Sequence, residues 1–259
     1  MSDLRVGSMV TEDNGEGAAV VMVHGLGGTS NSFQSLMPVL SGYRVLRPDL
    51  PGAGRSAYRP GIASMDGLAI CLTECLQAAG IGKAHFVAHS MGTLVCQYLA
   101  ARSPDIVASL VLFGPMLEPP AAARTGLKDR AEAARRDGMA GIADAVSSGS
   151  VSAASRTANP VTQTFVRESL MRQDPAGYAS HCQILGEALA ADHSAIQCPT
   201  LLVAGENDPV TPVDMASALS SRITDSRLVV IPAIGHWMMI EAVDTSAELL
   251  RGHLDGITS

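Results

Sequence analysis

The chain has 259 residues, 47% apolar and 17% charged, enough to bury a core and too few charges for a globally disordered chain. Eighteen Lys and Arg against 25 Asp and Glu leave a net charge of −7, which gives no basic footprint for a phosphate backbone and argues against a nucleic-acid partner. No apolar run reaches the roughly 18 residues of a bilayer span, and the start Met1-Ser2-Asp3-Leu4-Arg5 lacks the pattern of a signal peptide, so a cytoplasmic protein with no membrane partner is expected.

Short apolar runs bounded by Gly, Pro or Asp recur at Ala19 to Val23, Tyr43 to Leu46, His85 to Ala88, Leu110 to Phe113, Thr200 to Ala204 and Leu228 to Ile231. Such runs read as buried strands of a parallel sheet. Helical spacing falls between them, at Phe33 to Leu40, Met65 to Ala79, Met91 to Ala101, Val213 to Ser221 and Ala242 to Leu254. The alternation predicts an α/β fold, a mostly parallel central sheet with helices on both faces. It breaks between about Pro119 and Ala190, where Ala- and Arg-rich helical pieces suggest an inserted helical lid over residues 119–190, with residues 1–118 and 191–259 forming the core. The interval Ser147 to Ser155 taken alone has the composition of a disordered loop.

Val87-Ala88-His89-Ser90-Met91-Gly92 follows an apolar strand and precedes a helical run. In a strand-to-helix turn of this type the serine sits at a tight apex, and small residues two before and two after it, here Ala88 and Gly92, let the chain pack there. A serine hydroxyl is a weak nucleophile at neutral pH and needs a base, which in turn needs an orienting acid. Gly205-Glu206-Asn207-Asp208 and Gly235-His236-Trp237 follow later strands and supply both, giving the order Ser90, Asp208, His236. An oxyanion requires aimed N–H donors; Met91 follows the serine, and Leu26, in Val23-His24-Gly25-Leu26-Gly27-Gly28, follows the first parallel strand. Gly25 and Trp237 are candidate substrate contacts, and His24 reads as a structural hydrogen-bonder. Glu206 and Glu118 are weaker candidates for the acid, and His89 lines or supports the pocket.

These motifs, together with Pro48-Asp49-Leu50-Pro51-Gly52-Ala53-Gly54-Arg55-Ser56, resemble the α/β-hydrolase superfamily from about residue 19 to 250. The resemblance implies the α/β-hydrolase fold, Ser90 as nucleophile, His236 as general base and acid, Asp208 as orienting carboxylate, and no cofactor. Arg136-Asp137-Gly138-Met139 and Arg172-Gln173-Asp174-Pro175-Ala176-Gly177-Tyr178 look like the lid of 3-oxoadipate enol-lactonases and their relatives, although the lid carries no Trp. The expected activity is therefore hydrolysis of a carboxylic ester or lactone of a small substrate, with an anionic one among the candidates. Carbon–carbon bond hydrolysis or thioester hydrolysis on the same triad is the alternative, as is a non-catalytic ligand receptor.

Residues 119–190 hold 8 Arg and Lys against 7 Asp and Glu, which favours an anion there, and Arg124, Arg135, Arg136, Arg156, Arg167 and Arg172 are the cations considered for clamping a carboxylate. Sequence does not choose among them. The five cysteines, an odd number in a chain this large, read as core residues, and no Cys and His spacing forms a metal set, so no metal is expected. The expected partner is a small-molecule ester or lactone, and the chain is expected to be a monomer or homodimer.

Overall fold

A computed structural model describes residues 2–258. The chain opens with an antiparallel hairpin, β1 (Ser2–Val6) and β2 (Met9–Asn14), which sequence periodicity did not mark. Then come β3 (Ala18–Val23), a 3-10 segment (Ser30–Leu40), β4 (Tyr43–Asp49), α1 (Met65–Ala78), β5 (Ala84–His89), α2 (Met91–Arg102) and β6 (Val107–Phe113). After β6 the chain makes five consecutive helices, α3 (Ala121–Asp137), α4 (Ala140–Ser150), α5 (Ala153–Ala158), α6 (Pro160–Met171) and α7 (Pro175–Glu187). It returns to the sheet with β7 (Thr200–Gly205), α8 (Val213–Ser220), β8 (Ser226–Ile231), α9 (Met238–Glu241) and α10 (Val243–Thr258).

One eight-stranded sheet runs in the order β1-β2-β4-β3-β5-β6-β7-β8, parallel from β4 to β8 and antiparallel at the β1-β2 and β2-β4 pairings. The central strands are mainly apolar because both faces are covered: all six residues of β5 and of β7 are buried, with His85, His89 and Thr200 the polar members. Burying each Val or Leu there contributes roughly 1.5–3 kcal/mol. β8 departs from the expected buried strand, since only Ile231 is buried. As an edge strand it lacks a neighbour on one side.

Two further expectations are corrected. Phe33 to Leu40, read as an ordinary helix, is a 3-10 segment that contains Pro38 and begins at a Thr29 cap accepting from Asn31 N. Ser147 to Ser155, whose composition taken alone allowed a disordered loop, is instead the end of α4, a short link and the start of α5. Its serines bond locally: Ser150 Oγ donates to Val146 O, and Ser152 Oγ accepts from Ser155 N.

The inserted helices are bonded to the core at several loops. Ser169 Oγ donates to Gly27 O at 2.8 Å and Gln173 Nε2 to the same carbonyl at 3.2 Å, while His181 Nε2 donates to Pro51 O at 2.9 Å. α7 also lies directly on the β4 loop, where a Cβ on Gly177 would sit 2.0 Å from Gly52 O, so only glycine fits that crossing. Among the described residues no helix is long and apolar enough to cross a membrane.

Candidate active site

Leu26, Ser90, Asp208 and His236 all follow the C-terminal ends of parallel strands, β3, β5, β7 and β8 respectively, where open α/β sheets place their ligand sites. Ser90 joins β5 directly to α2 with φ 52° and ψ −120°, a strained conformation for a residue with a Cβ, and its side chain caps no helix N–H. Gly92 permits this turn, because a Cβ there would lie 2.4 Å from Val23 O and 2.6 Å from His24 O. Ser90 is held at the apex with its hydroxyl left to the cavity.

His236 Nδ1 donates to Asp208 Oδ2 at 2.7 Å. Asp208 is 4% exposed and each of its oxygens is further engaged: Oδ1 accepts from Val210 N at 2.8 Å and Thr211 N at 3.0 Å, and Oδ2 accepts from Thr211 Oγ1 at 2.6 Å. Burial alone would raise its pKa; the neighbouring His236 and the Thr211 donors outweigh that and bring it below the ordinary carboxylate value. The result is an ionised, fully hydrogen-bonded carboxylate that dictates the tautomer of His236, with Nδ1 protonated and Nε2 free to take a proton.

The two oxyanion candidates are aimed by their own peptide planes. In a trans peptide the C=O and the following N–H point in opposite directions, so holding one directs the other. Gly25 O accepts from Gly28 N at 3.0 Å and from His24 Nδ1 at 2.8 Å, which turns Leu26 N–H away from that bonded side. Ser90 O accepts from Thr93 N at 2.8 Å and Thr93 Oγ1 at 2.6 Å, which does the same for Met91 N–H at the first turn of α2. His24 accepts from Leu50 N on its other nitrogen and is wholly buried, so burial lowers its pKa and leaves it a neutral positioning group. Thr93 gave no sequence signal of its own, since a threonine one turn into a helix is ordinary.

The histidine loop is clasped from both sides. His236 N donates to Ser150 O at 2.9 Å, and Trp237 Nε1 donates to Ser150 Oγ at the same distance. Glu241 accepts from Gly235 N and Ser152 N on one oxygen and from Trp237 N on the other, so one carboxylate ties the loop to the insertion. His89 packs its ring 4.7 Å from that of His236 and 4.8 Å from that of Trp237, and donates from Nε2 to His236 O. Burial, with His236 beside it, pulls the His89 pKa down to about 3, so it stays neutral and is no second base.

Ser90, His236, Leu26, His89 and Trp237 line one cavity of about 700 Å³ whose remaining walls come mainly from α3 and α4. Gly25 lies beside the serine, where an added Cβ would stand 2.8 Å from Ser90 Cβ, so its place is to let the backbone approach the nucleophile. Met238 and Met239 are buried in the core. Glu118 is exposed and paired with Arg124 at 3.1 Å, and Glu206 Oε2 accepts from Ala233 N, so each alternative acid is engaged elsewhere.

None of the six arginines considered from sequence lines this cavity. Arg124 donates to Gly186 O and Ala188 O, Arg135 to Gln183, Arg136 to Asp137, Arg156 to Ser148 O and Val151 O, Arg167 to Asp144 and Arg172 to Glu168. The cavity cation is Arg130, beside Tyr178 and Cys182. Its spacing of four from Gly126 and three from Ala133 on α3 was the available signal. Among the described residues no group of three or more His, Cys, Asp or Glu side chains forms a metal-ligand set.

Residues 18–243 match the family model described as the alpha/beta hydrolase fold. An esterase from Thermogutta terrifontis superposes with a TM-score of 0.94 at 26% identity, covering 100% of both chains. The enol-lactonase from Burkholderia xenovorans LB400 superposes with a TM-score of 0.91 at 25% identity over 98% of this chain and 100% of its own. The 2-hydroxy-6-oxononadienedioate/2-hydroxy-6-oxononatrienedioate hydrolase 2 of Pseudomonas putida is 30% identical over 93% of this chain and 90% of its own length.

Proposed function

Because the chain belongs to the α/β-hydrolase fold family, we propose that it is a serine hydrolase cleaving carboxylic esters or lactones through an acyl-enzyme on Ser90. The observation that carries this reading is the 2.7 Å bond from His236 Nδ1 to the buried Asp208 carboxylate, in a cavity that Ser90 shares. That bond leaves Nε2 unprotonated and available to the serine hydroxyl.

Ser90 Oγ attacks the substrate carbonyl carbon as its proton passes to His236 Nε2. The carbonyl π electrons move to oxygen, and the oxyanion accepts from the Leu26 and Met91 N–H groups. Collapse expels the alkoxide, which takes the proton from His236 and leaves as alcohol; in a lactone it stays tethered. A water then gives a proton to His236 and its oxygen to the acyl carbon, and Ser90 is regenerated as the acid departs. Asp208 stays ionised throughout and stabilises the imidazolium formed at each half-reaction. Residues 119–190 serve as the cap over this chemistry, and the partner is a small-molecule ester or lactone.

The Pseudomonas putida relative favours one second reading. A substrate described as a 6-oxo acid presents a ketone, which has no oxygen leaving group, so its hydrolysis breaks a carbon–carbon bond on the same serine. Methanol partitioning tests the acyl-enzyme and separates the readings. With several esters of one acid and different alcohols, the ratio of methyl ester to free acid is expected to be the same for every leaving group, because all pass through one intermediate. A ratio that changes with the leaving group contradicts the acyl-enzyme. Failure to turn over any ester or lactone, with cleavage of a vinylogous diketone, selects the second reading.

A further inference from the structure

We propose that glycines on the cavity-facing sides of α3 and α4 adapt the site to neutral esters carrying a bulky apolar group of about eight carbons or more, a size that fits within a drug-sized pocket; this rests on the serine-hydrolase reading above. Gly126 on α3 and Gly141 and Gly149 on α4 all line the cavity. The helical spacing supports their placement: 126, 130, 133 and 137 follow one stripe of α3, and 141, 145 and 149 one stripe of α4, and all seven line the cavity.

Glycine in a helix interior costs about 1 kcal/mol relative to alanine, so Gly126 within α3 calls for a reason, while Gly141 and Gly149 stand in the first and last turns of α4 and share its cavity-lining place. Backbone conformation is not the reason, because none of the three has a left-handed φ. Close packing is not the reason either. A Cβ on any of them would meet nothing within 4 Å, whereas on Gly92, Gly177 or Gly205 it would approach backbone oxygen within 2.4 Å. All three are exposed to solvent, so what these glycines leave is room on the open side of the cavity they line.

The cavity of about 700 Å³ is large for a small acid. At the roughly 30 Å³ that one water occupies in the liquid, it has space for about twenty non-hydrogen atoms. Its charged lining is Arg130 with Asp129 and Asp137, and Asp137 is already paired with Arg136 at 2.7 Å, so one cation faces one unpaired carboxylate and the lining offers no net positive field to a dicarboxylate. The hydroxyl of Ser150, also on the wall, is already engaged by Trp237. Bulk and apolarity, rather than negative charge, are what this lining accommodates.

The test is kcat/KM for the p-nitrophenyl esters of acetate, butyrate, octanoate and hemisuccinate, on the wild type and on Gly126→Leu and Gly141→Leu, with the milder Gly126→Ala and Gly141→Ala as companions. The wild type is expected to favour octanoate over acetate at least tenfold and butyrate over hemisuccinate. Each leucine is expected to lower the octanoate-to-acetate ratio at least tenfold, the alanines less, with melting temperatures held or raised because both residues favour helix over glycine. Acetate turnover with no gain for octanoate, a preference for hemisuccinate, or a ratio unchanged in all four folded variants overturns the inference and leaves the serine-hydrolase reading standing. No turnover of any ester by the wild type overturns that reading, and this inference with it.

Discussion

Ser90→Ala is expected to lower ester turnover by roughly a millionfold, the order seen when a triad nucleophile is removed, while the protein stays folded. The chemical loss is complete because no other hydroxyl shares the apex of the β5-α2 turn, where Ser90 stands at φ 52°. The structural loss is small. The Ser90 side chain caps no helix N–H, and the backbone bonds that hold the turn, Ser90 N to Phe113 O and Thr93 N to Ser90 O, do not involve its hydroxyl. A positive φ is not confined to serine and glycine in this chain, since Ala233 has φ 60°. Steady-state rates and thermal melting on the same preparation check both halves. A variant retaining more than about a hundredth of wild-type activity is inconsistent with the nucleophile assignment, which calls for a far larger loss.

Asp208→Asn is expected to cost about 10⁴-fold in kcat, far more than an isosteric change to one atom suggests. The reason lies in the four donors around the carboxylate. Val210 N–H and Thr211 N–H both point at Oδ1 and are fixed in the backbone, so the single amide oxygen of asparagine must face them. Its NH₂ group then faces Thr211 Oγ1, which can rotate to accept, and His236 Nδ1, which can accept only by giving up its proton. The imidazole proton moves to Nε2, and the nitrogen that should receive the serine proton is blocked. With the wild-type carboxyl held below its ordinary pKa by His236 and the Thr211 donors against the cost of burial, the contrast between charged and neutral persists at every pH near neutrality. Kinetics from pH 6 to 9 check this. A loss of less than tenfold across that range contradicts the role given to Asp208.

Much of the fold was legible because its strands are buried on both faces. Runs such as Phe86 to Ala88 within Ala84–His89, and Leu201 to Ala204 within Thr200–Gly205, are continuously apolar, and nearby Gly and Pro mark where parallel strands meet loops. The β1-β2 hairpin escaped because it is an edge feature: β2 carries Thr11, Glu12 and Asp13, and its pattern matches neither a buried run nor a clean alternation. The serine-rich stretch misled for a related reason. Low apolarity reads as disorder, yet Ser150 and Ser152 spend their backbone and side-chain groups on the histidine loop, which is a use of polarity that composition does not reveal.

The triad candidates were legible because each follows a strand and the chemistry constrains residue types in order. The groups that aim them were not. Glu241, Thr93 and Ser150 reach the site through backbone groups of other residues, and such contacts depend on where loops cross in space rather than on local pattern. Arg130 differs from the six arginines first considered by its place on the α3 stripe, and only the packing of α3 against α7 and α4 shows that this stripe faces the cavity. A charge count over the insertion located cations without locating the one that lines the cavity.

Activation of Ser90 as a nucleophile is read by intact-mass analysis after brief exposure to a fluorophosphonate. One adduct per chain is expected, mapped by peptide sequencing to Ser90, absent in Ser90→Ala and formed far more slowly in His236→Ala. An adduct on any other residue, or none on a folded protein that a small fluorophosphonate can enter, would contradict it.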